Sequence, residues 1–175
     1  MDQVKKDFSI KHLDAQTDVL KNIQGKKILN IGGSFMTEMS QRGAEVVAIH
    51  VKDDFSEEYN LDNCQVMKYN MCQYTTEENL KNLGTFDIIC FFELIHHLDY
   101  EKNQSILNYI YEATDCALSS SDITPYENRK LNWDLDLDSV NELVLSTGYR
   151  HIDVLILDEK KIGELANSYY FRMLK

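Results

Sequence analysis

The sequence predicts a single α/β domain built on one doubly wound, mostly parallel seven-stranded sheet that ends in an antiparallel β-hairpin. Two observations lead to this prediction. Short β-rich runs alternate along the chain with helical periodicities, and such an alternation places helices on both faces of a parallel sheet. The last two β-rich runs have no helix long enough for a crossover between them, so we expect them to pair antiparallel.

The strands follow from runs of β-branched, aromatic and other apolar residues. The run Phe86–Phe91 is nearly continuously apolar, which is typical of a parallel strand covered on both faces. The seven expected strands are Lys27–Ile31, Glu45–His50, Gln65–Tyr69, Phe86–Phe91, Cys116–Ser119, His151–Leu157 and Ser168–Leu174.

The helices between them are predicted from apolar spacing and from residues that favour helix ends. The first covers Lys11–Ile23, and the second runs from the glycine-containing turn after strand one through Arg42, where Gly43 fits the helix stop. The remaining three have these signals: a capping box at Thr75 and Glu78 with Gly84 as the stop, a cap at Asp99 before Ile106, Leu107, Ile110 and Tyr111, and the face Val140, Leu143, Val144 and Thr147 before Gly148.

Composition narrows the classes of function. The chain has 175 residues without repeats or linker-like segments, so we expect one domain over residues 1–175. Its 29 acidic and 18 basic residues give a net charge of −11, which argues against nucleic acid as a partner. The apolar runs are far shorter than the ~20 residues of a membrane helix, and Met1–Lys11 lacks the apolar stretch of a signal peptide. We therefore expect a cytoplasmic protein that does not bind membranes.

The four cysteines are expected to be free thiols, because none form the paired spacing of a zinc site or redox motif. No metal site is predicted. Cys90 and Cys116 fall within predicted strands, where buried thiols are common.

Candidate binding residues follow the predicted strands, because ligands of such sheets bind beyond the carboxyl ends of the strands. Gly32, Gly33 and Ser34 follow strand one, where glycine lets a ligand approach the backbone. His50 ends strand two, where dinucleotide-binding folds place a carboxylate for the ribose hydroxyls. Asn70 follows strand three and could hydrogen-bond an adenine edge. Polar residues at strand ends also occur without a ligand, so the alternative is a purely structural role.

Candidate acid–base residues follow strand four. Glu93, His96 and His97 lie at the expected mouth of the sheet, and glutamate and histidine can hold or transfer protons there. Adjacent histidines cannot both face one point from a helix, so at most one is expected to reach a substrate. A structural, hydrogen-bonded histidine is the alternative for both.

The segment Phe86–Leu98 resembles the fourth-strand region of small class I S-adenosylmethionine-dependent methyltransferases, which commonly reads F-D-x-[IV]-x-x-x-E-x-[IL]-x-H-L. The run Lys27–Gly33 is similar to their first motif, and the expected β-hairpin fits their sheet. The resemblance implies S-adenosylmethionine as cofactor, held by Asn30, Gly32, Gly33, Ser34, His50, Asn70 and Glu93. It also implies methyl transfer to a small molecule such as a sugar or metabolite hydroxyl, with His96 or His97 as general base and with Tyr126 or Trp133 lining the acceptor pocket.

Three positions depart from the family pattern. The acid of the first motif is Asn30, the ribose-binding acid is His50, and the aspartate after strand three is Asn70; Ser34 and Met36 also replace later glycines. Each lost acceptor would weaken cofactor binding by about 1–3 kcal/mol. The alternative hypothesis is thus a methyltransferase-like fold that no longer methylates and serves as a binding or regulatory subunit with a protein partner. An α/β enzyme for another nucleotide is a third hypothesis.

Overall fold

The computed structural model describes residues 18–32, 35–50, 62–68, 80–92, 94–95, 98–122, 136–156 and 168–175, and of residues 18, 19, 50, 68, 92, 120–122, 151–156 and 168–171 the backbone alone. Within these residues one sheet has the strand order β3-β2-β1-β4-β5-β7-β6. Its strands are β1 (Lys27–Ile31), β2 (Glu45–His50), β3 (Cys64–Lys68), β4 (Ile88–Phe92), β5 (Cys116–Asp122), β6 (His151–Ile156) and β7 (Ser168–Leu174).

The first five strands are parallel to one another. The last strand, β7, lies between β5 and β6, so the order of these strands in the sheet differs from their order in the chain. β1 lies between β2 and β4, with Ile31 in register with Ile49 on one side and Phe91 on the other. β7 runs antiparallel to both β5 and β6, so β6 joins the sheet through β7. The predicted mostly parallel α/β sheet with a C-terminal antiparallel pair is confirmed.

Four helices are described along the chain. They are α1 (Asp18–Lys21), α2 (Met36–Gln41), α3 (Tyr100–Ala113) and α4 (Leu137–Ser146). α1 lies within the first predicted helix and ends two residues before its predicted end at Ile23. Of the helix predicted before Gly84, only Leu80 and Lys81 fall among the described helical residues. None of the helices in these parts of the chain has the length and apolar character of a membrane span.

Alternating strand residues feed two apolar cores, one on each face of the sheet. In β1, Ile28 joins the core against α1 and α2, whereas Leu29 joins the core against α3 and α4. In β4, Cys90 and Phe91 divide in the same way. The α1/α2 core consists of Leu20, Ile23, Ile28, Met36, Met39, Ala44, Val46, Ala48, Ile88, Cys90 and Leu118. Helices therefore cover both faces, as a doubly wound sheet requires.

Several boundaries differ from the predicted ones for identifiable reasons. β5 continues to Asp122 because its polar end pairs with β7, where Asp122 is in register with Ser168. β3 begins one residue early, with Cys64 in register with Val46. Asp99 does occupy the N-cap of α3, but its side chain makes no capping hydrogen bond. Asp136 caps α4 instead, its carboxylate accepting from the backbone N–H of Ser139 at 2.7 Å.

Candidate functional site

The chain reverses its direction of winding between β1 and β4, and this switch point carries a buried polar residue. Asn30, the fourth residue of β1, is fully buried. Its register partners are Ala48 on β2 and Cys90 on β4, both members of the α1/α2 core. A doubly wound sheet binds its ligand at the switch point. The only fully buried polar side chain described on β1 therefore lies beside the place where a ligand is expected.

Gly32 forms the first step of the turn after β1. Its backbone has a φ of 108°, which lies in the region that side-chain-bearing residues rarely adopt. Its N–H donates to the carbonyl oxygen of Ile49 at 2.9 Å, so the turn is tied to the end of β2. A turn fixed in this way without a Cβ leaves backbone open to a ligand at the carboxyl edge of the sheet.

Phe35, the residue directly before α2, is the second residue near this turn that has a positive φ. It is the N-cap of the helix, with φ 65° and ψ 10°, and it is the one described residue other than glycine with a positive φ. A non-glycine residue in this region costs about 1–2 kcal/mol. The conformation is held because Met39 N–H donates to the Phe35 carbonyl at 3.0 Å and the side chain packs against the α1/α2 core. Strain of this kind is characteristic of ligand-binding turns.

The three described residues that lie between β4 and the N-cap of α3 are buried, and two of them are hydrogen-bonded to α3. Leu94, Ile95 and Leu98 are each at most 3% exposed and belong to the core against α3 and α4. Asn103, a fully buried residue of α3, donates from Nδ2 to the carbonyl oxygens of Ile95 at 2.9 Å and Leu98 at 3.1 Å. His96 and His97 are the two residues between these carbonyls in the sequence.

A side-chain hydrogen bond from β5 also holds the carboxyl half of β4. Ser119, which is fully buried, donates from Oγ to the carbonyl oxygen of Phe91 at 2.8 Å, its register partner. On the opposite face of β4, burial raises the pKa of the Cys90 thiol well above its usual range, and the nearby Cys116 raises it further. Cys90 is thus a neutral core side chain rather than a nucleophile.

The described residues bring together only part of the predicted site. Asn30 and Gly32 lie two residues apart where β1 ends between β2 and β4, and the backbone of His50 ends β2 in register with Lys68. The other predicted residues lie outside the described residues: Gly33, Ser34, Asn70, Glu93, His96, His97, Tyr126 and Trp133. In the described part of the chain, no three histidine, cysteine, aspartate or glutamate side chains are grouped so that they could hold a metal ion.

Two residues that shape this edge are missing from the predictions. Asn103 occupies the helical face that Ile106, Leu107 and Ile110 define, at i, i+3, i+4 and i+7. An amide on an apolar face is a detectable signal, because a buried polar side chain needs a partner. Phe35 gives no such signal, since nothing in its residue type favours a left-handed conformation.

No protein-family model and no curated protein matches the chain. Solved structures do match its fold. A SAM-dependent methyltransferase from Archaeoglobus fulgidus superposes with a TM-score of 0.71 at 14% identity over 99% of this chain and 94% of that one. Magnesium protoporphyrin IX methyltransferase from Synechocystis PCC 6803, with bound SAH, superposes with a TM-score of 0.67 at 12% identity over 100% of this chain and 88% of that one.

A third match is the N-terminal domain of EvdMO1, crystallised in the presence of SAH and D-fucose, with a TM-score of 0.62 at 13% identity over 99% of this chain and 83% of that one. At these identities the matches establish the fold. The chain has the fold of class I S-adenosylmethionine-dependent methyltransferases, as its strand-four segment predicts.

Proposed function

We propose that this chain is an S-adenosylmethionine-dependent methyltransferase whose acceptor is a small molecule with a nucleophilic group, such as a sugar or metabolite hydroxyl. The observation that carries the proposal is the switch point between β1 and β4, with buried Asn30 and the left-handed Gly32 beside it. This is where the fold binds ligands, and the solved structures with the same fold include two with bound or added SAH.

The residues at the switch point suit the cofactor. The amide of Asn30 offers a hydrogen-bond acceptor and two donors in place of the family's carboxylate. Gly32 presents backbone without a Cβ, as a ligand lying along the turn needs. We assign the remaining contacts to Gly33, Ser34, His50, Asn70 and Glu93. When bound, S-adenosylmethionine supplies an activated methyl group.

The chain's own residues then have two tasks, to position the acceptor and to remove the proton of its hydroxyl group. Holding the acceptor in line with the methyl group supplies most of the rate enhancement in such a displacement. One imidazole, His96 or His97, takes the proton of the acceptor hydroxyl, since histidine is largely neutral near pH 7 and can act as a base. Leu94, Ile95 and Leu98, the described residues nearest to the two histidines in the sequence, are buried in the core against α3 and α4.

Thermal unfolding with and without S-adenosylmethionine and S-adenosylhomocysteine tests cofactor binding. A ligand at 100 times its Kd stabilises by about 2.7 kcal/mol, which for this length raises Tm by roughly 5–10 °C. Adenosine and methionine, each added alone, are the matched controls. A rise with both cofactor forms supports the proposal, and the base assignment is then tested by replacing both histidines with alanine. Methylation that persists in the double variant would rule that assignment out.

A second candidate function is favoured by Asn30 itself. A neutral amide in a fully buried position, where the family has an acid, would suit a binding or regulatory subunit that no longer methylates. An unchanged Tm at millimolar S-adenosylmethionine and S-adenosylhomocysteine supports this function and contradicts the first.

A further inference from the structure

Asn63, the residue directly before β3, uses its side chain to hold one turn of the chain. Its Nδ2 donates to the carbonyl oxygens of Ser40 at 3.0 Å and Ala44 at 2.6 Å, and its Oδ1 accepts from the Ser40 hydroxyl. Its backbone carbonyl also accepts from the N–H of Val46 at 2.9 Å. Both polar atoms of the amide are therefore bonded to the segment that leads from the end of α2 to the start of β2.

These side-chain bonds exceed what the sheet requires at this point. β3 pairs with β2 through backbone groups, beginning where Cys64 is in register with Val46. The side chain at position 63 contributes nothing to that backbone ladder. The amide of Asn63 therefore serves α2 and its turn rather than the pairing of β3.

α2 is a helix that needs such an anchor. It has only six residues, and helices shorter than about 12–15 residues are marginal in water by themselves. Its N-cap is the left-handed Phe35, which makes no side-chain capping bond. Directional side-chain bonds instead hold the carboxyl end of the helix, where Asn63 acts together with Arg42, whose Nη1 donates to the Leu20 carbonyl at 3.1 Å.

α2 also connects the two edges of the sheet. It follows β1 and leads into β2, so it starts at the carboxyl edge and ends at the amino edge, about 9 Å away at 1.5 Å per residue. The N–H of Ala44 donates to the Met39 carbonyl at 3.2 Å, and the N–H of Met39 donates to the Phe35 carbonyl at 3.0 Å. A continuous series of hydrogen bonds therefore leads from Asn63 to Phe35.

We propose that Asn63 is a positioning residue that fixes α2 from the amino edge of the sheet and thereby sets where Phe35 lies at the carboxyl edge. The inference rests on the proposed function in one respect, since Phe35 is where α2 begins after the turn that we assign to the cofactor from Gly32 onward. The fixing of α2 is a property of the ligand-free protein and is tested separately.

Thr114 provides a matched control. Its Oγ1 donates to the carbonyl oxygen of Asp87 at 3.1 Å, so it also braces backbone at the amino edge of the sheet, but next to β4 rather than α2. Thr114→Val removes that donor at nearly constant volume, and Asn63→Ala removes both polar atoms of the amide. A milder variant, Ser40→Ala, removes only the hydroxyl that donates to Asn63 Oδ1.

The first experiment measures amide hydrogen exchange in the ligand-free protein. The N–H groups of Met39 and Ala44 report on α2 and its turn, and that of Ile89, fully buried in β4, reports on global unfolding. In Asn63→Ala, exchange at Met39 and Ala44 should be accelerated at least about tenfold more than exchange at Ile89. Thr114→Val should accelerate all three by one factor.

Equal acceleration of all three groups in Asn63→Ala would overturn the proposal, because the amide would then stabilise the whole domain and not α2 in particular. Unprotected N–H groups at Met39 and Ala44 in the wild type would overturn it as well. If Asn63→Ala does not fold, Ser40→Ala replaces it, with an expected excess of about threefold at the same two groups.

The second experiment tests the link to the cofactor by titration calorimetry with S-adenosylhomocysteine. Asn63→Ala should raise Kd at least about fivefold, the effect of one lost hydrogen bond, whereas Thr114→Val should leave Kd within a factor of about two. An unchanged Kd in Asn63→Ala would contradict the link between α2 and the cofactor. Failure of the wild type to bind would contradict the proposed function and leave the hydrogen-exchange result standing.

Discussion

The backbone N–H of Lys27 donates to Asp87 Oδ2 at 2.8 Å, and the N–H of Asp87 donates back to the Lys27 carbonyl at 2.9 Å. This reciprocal pair joins the start of β1 to the residue before β4. Asp87 is the aspartate of the strand-four segment that resembles the methyltransferases. It lies at the amino edge of the sheet, and its role is therefore to align the two strands that form the switch point rather than to bind a ligand.

Replacing Asp87 with asparagine should remove part of the protein's sensitivity to acid. The Lys27 N–H, helped by Lys26, lowers the pKa of the Asp87 carboxyl in the folded protein. A lowered folded-state pKa gives stability that is present above the unfolded-state value of about 3.9 and is lost as the pH falls through the folded-state value. Urea midpoints between pH 2 and pH 7 should fall less steeply on acidification in Asp87→Asn than in the wild type. Parallel curves would contradict this role.

Gly32→Ala should impair cofactor binding beyond its effect on stability. Gly84 has a similar φ of 89°, against 108° for Gly32, but it lies at the other edge of the sheet, before β4. Each substitution forces a Cβ into the positive-φ region and should cost about 1–3 kcal/mol. Only Gly32→Ala should also reduce the Tm rise produced by S-adenosylhomocysteine. An equal ligand response in the two variants would place the cofactor away from this turn.

Asn30→Asp restores the family's acid inside a fully buried position. At neutral pH the variant should lose about 1–3 kcal/mol of stability. Burial raises the folded-state pKa of the new carboxyl above its unfolded value, so the lost stability should return as the pH is lowered.

The same variant should respond more strongly to S-adenosylmethionine, because a cation near the switch point offsets the buried charge. Ser119→Asp, a carboxylate at another fully buried strand position, is the control that should lose stability without gaining ligand response. Differential scanning fluorimetry from pH 4 to pH 8 measures both effects. A ligand-induced Tm rise no larger than that of the wild type would show that no cation binds beside residue 30.

Cys90 should resist alkylation in the folded protein. It is fully buried and its thiol pKa is raised well above the ordinary value, whereas Cys64 is only partly buried. With iodoacetamide at pH 8, peptide mass spectrometry should find Cys90 modified at least about tenfold more slowly than Cys64. The difference should vanish in urea. Native labelling of both cysteines at one rate would contradict the packing of β4 against the α1/α2 core.

The fold is predictable to the extent that local patterns decide it. β1, β2 and β7 have the predicted bounds because each is a compact β-rich run between turn residues. β5 is longer than predicted, since Ser120, Ser121 and Asp122 are polar and only their pairing with β7 makes them strand residues. Pairing between distant segments is not visible in a window of neighbouring residues.

The candidate site is likewise predictable only where a local sequence pattern marks its residues. The positions of Asn30 and Gly32 at the end of β1 follow from the strand pattern, whereas their roles in cofactor binding stay predictions. Asn103 was not predicted, because its partners are the backbone carbonyls of Ile95 and Leu98, which every residue type possesses. The assignments of His96, His97 and Glu93 remain predictions, to be decided by the experiments above.

The position of β7 inside the sheet has a consequence for how the molecule is assembled. β6 touches the rest of the sheet only through β7, and β5 has no partner on that side until β7 arrives. During synthesis, the strand that closes the gap leaves the ribosome after all the others, so an unpaired β5 edge with open hydrogen-bonding groups must persist until then. Folding therefore ends with a pairing between residues some fifty positions apart. We expect this last step to be slow and to leave the chain open to edge-to-edge association until it is complete.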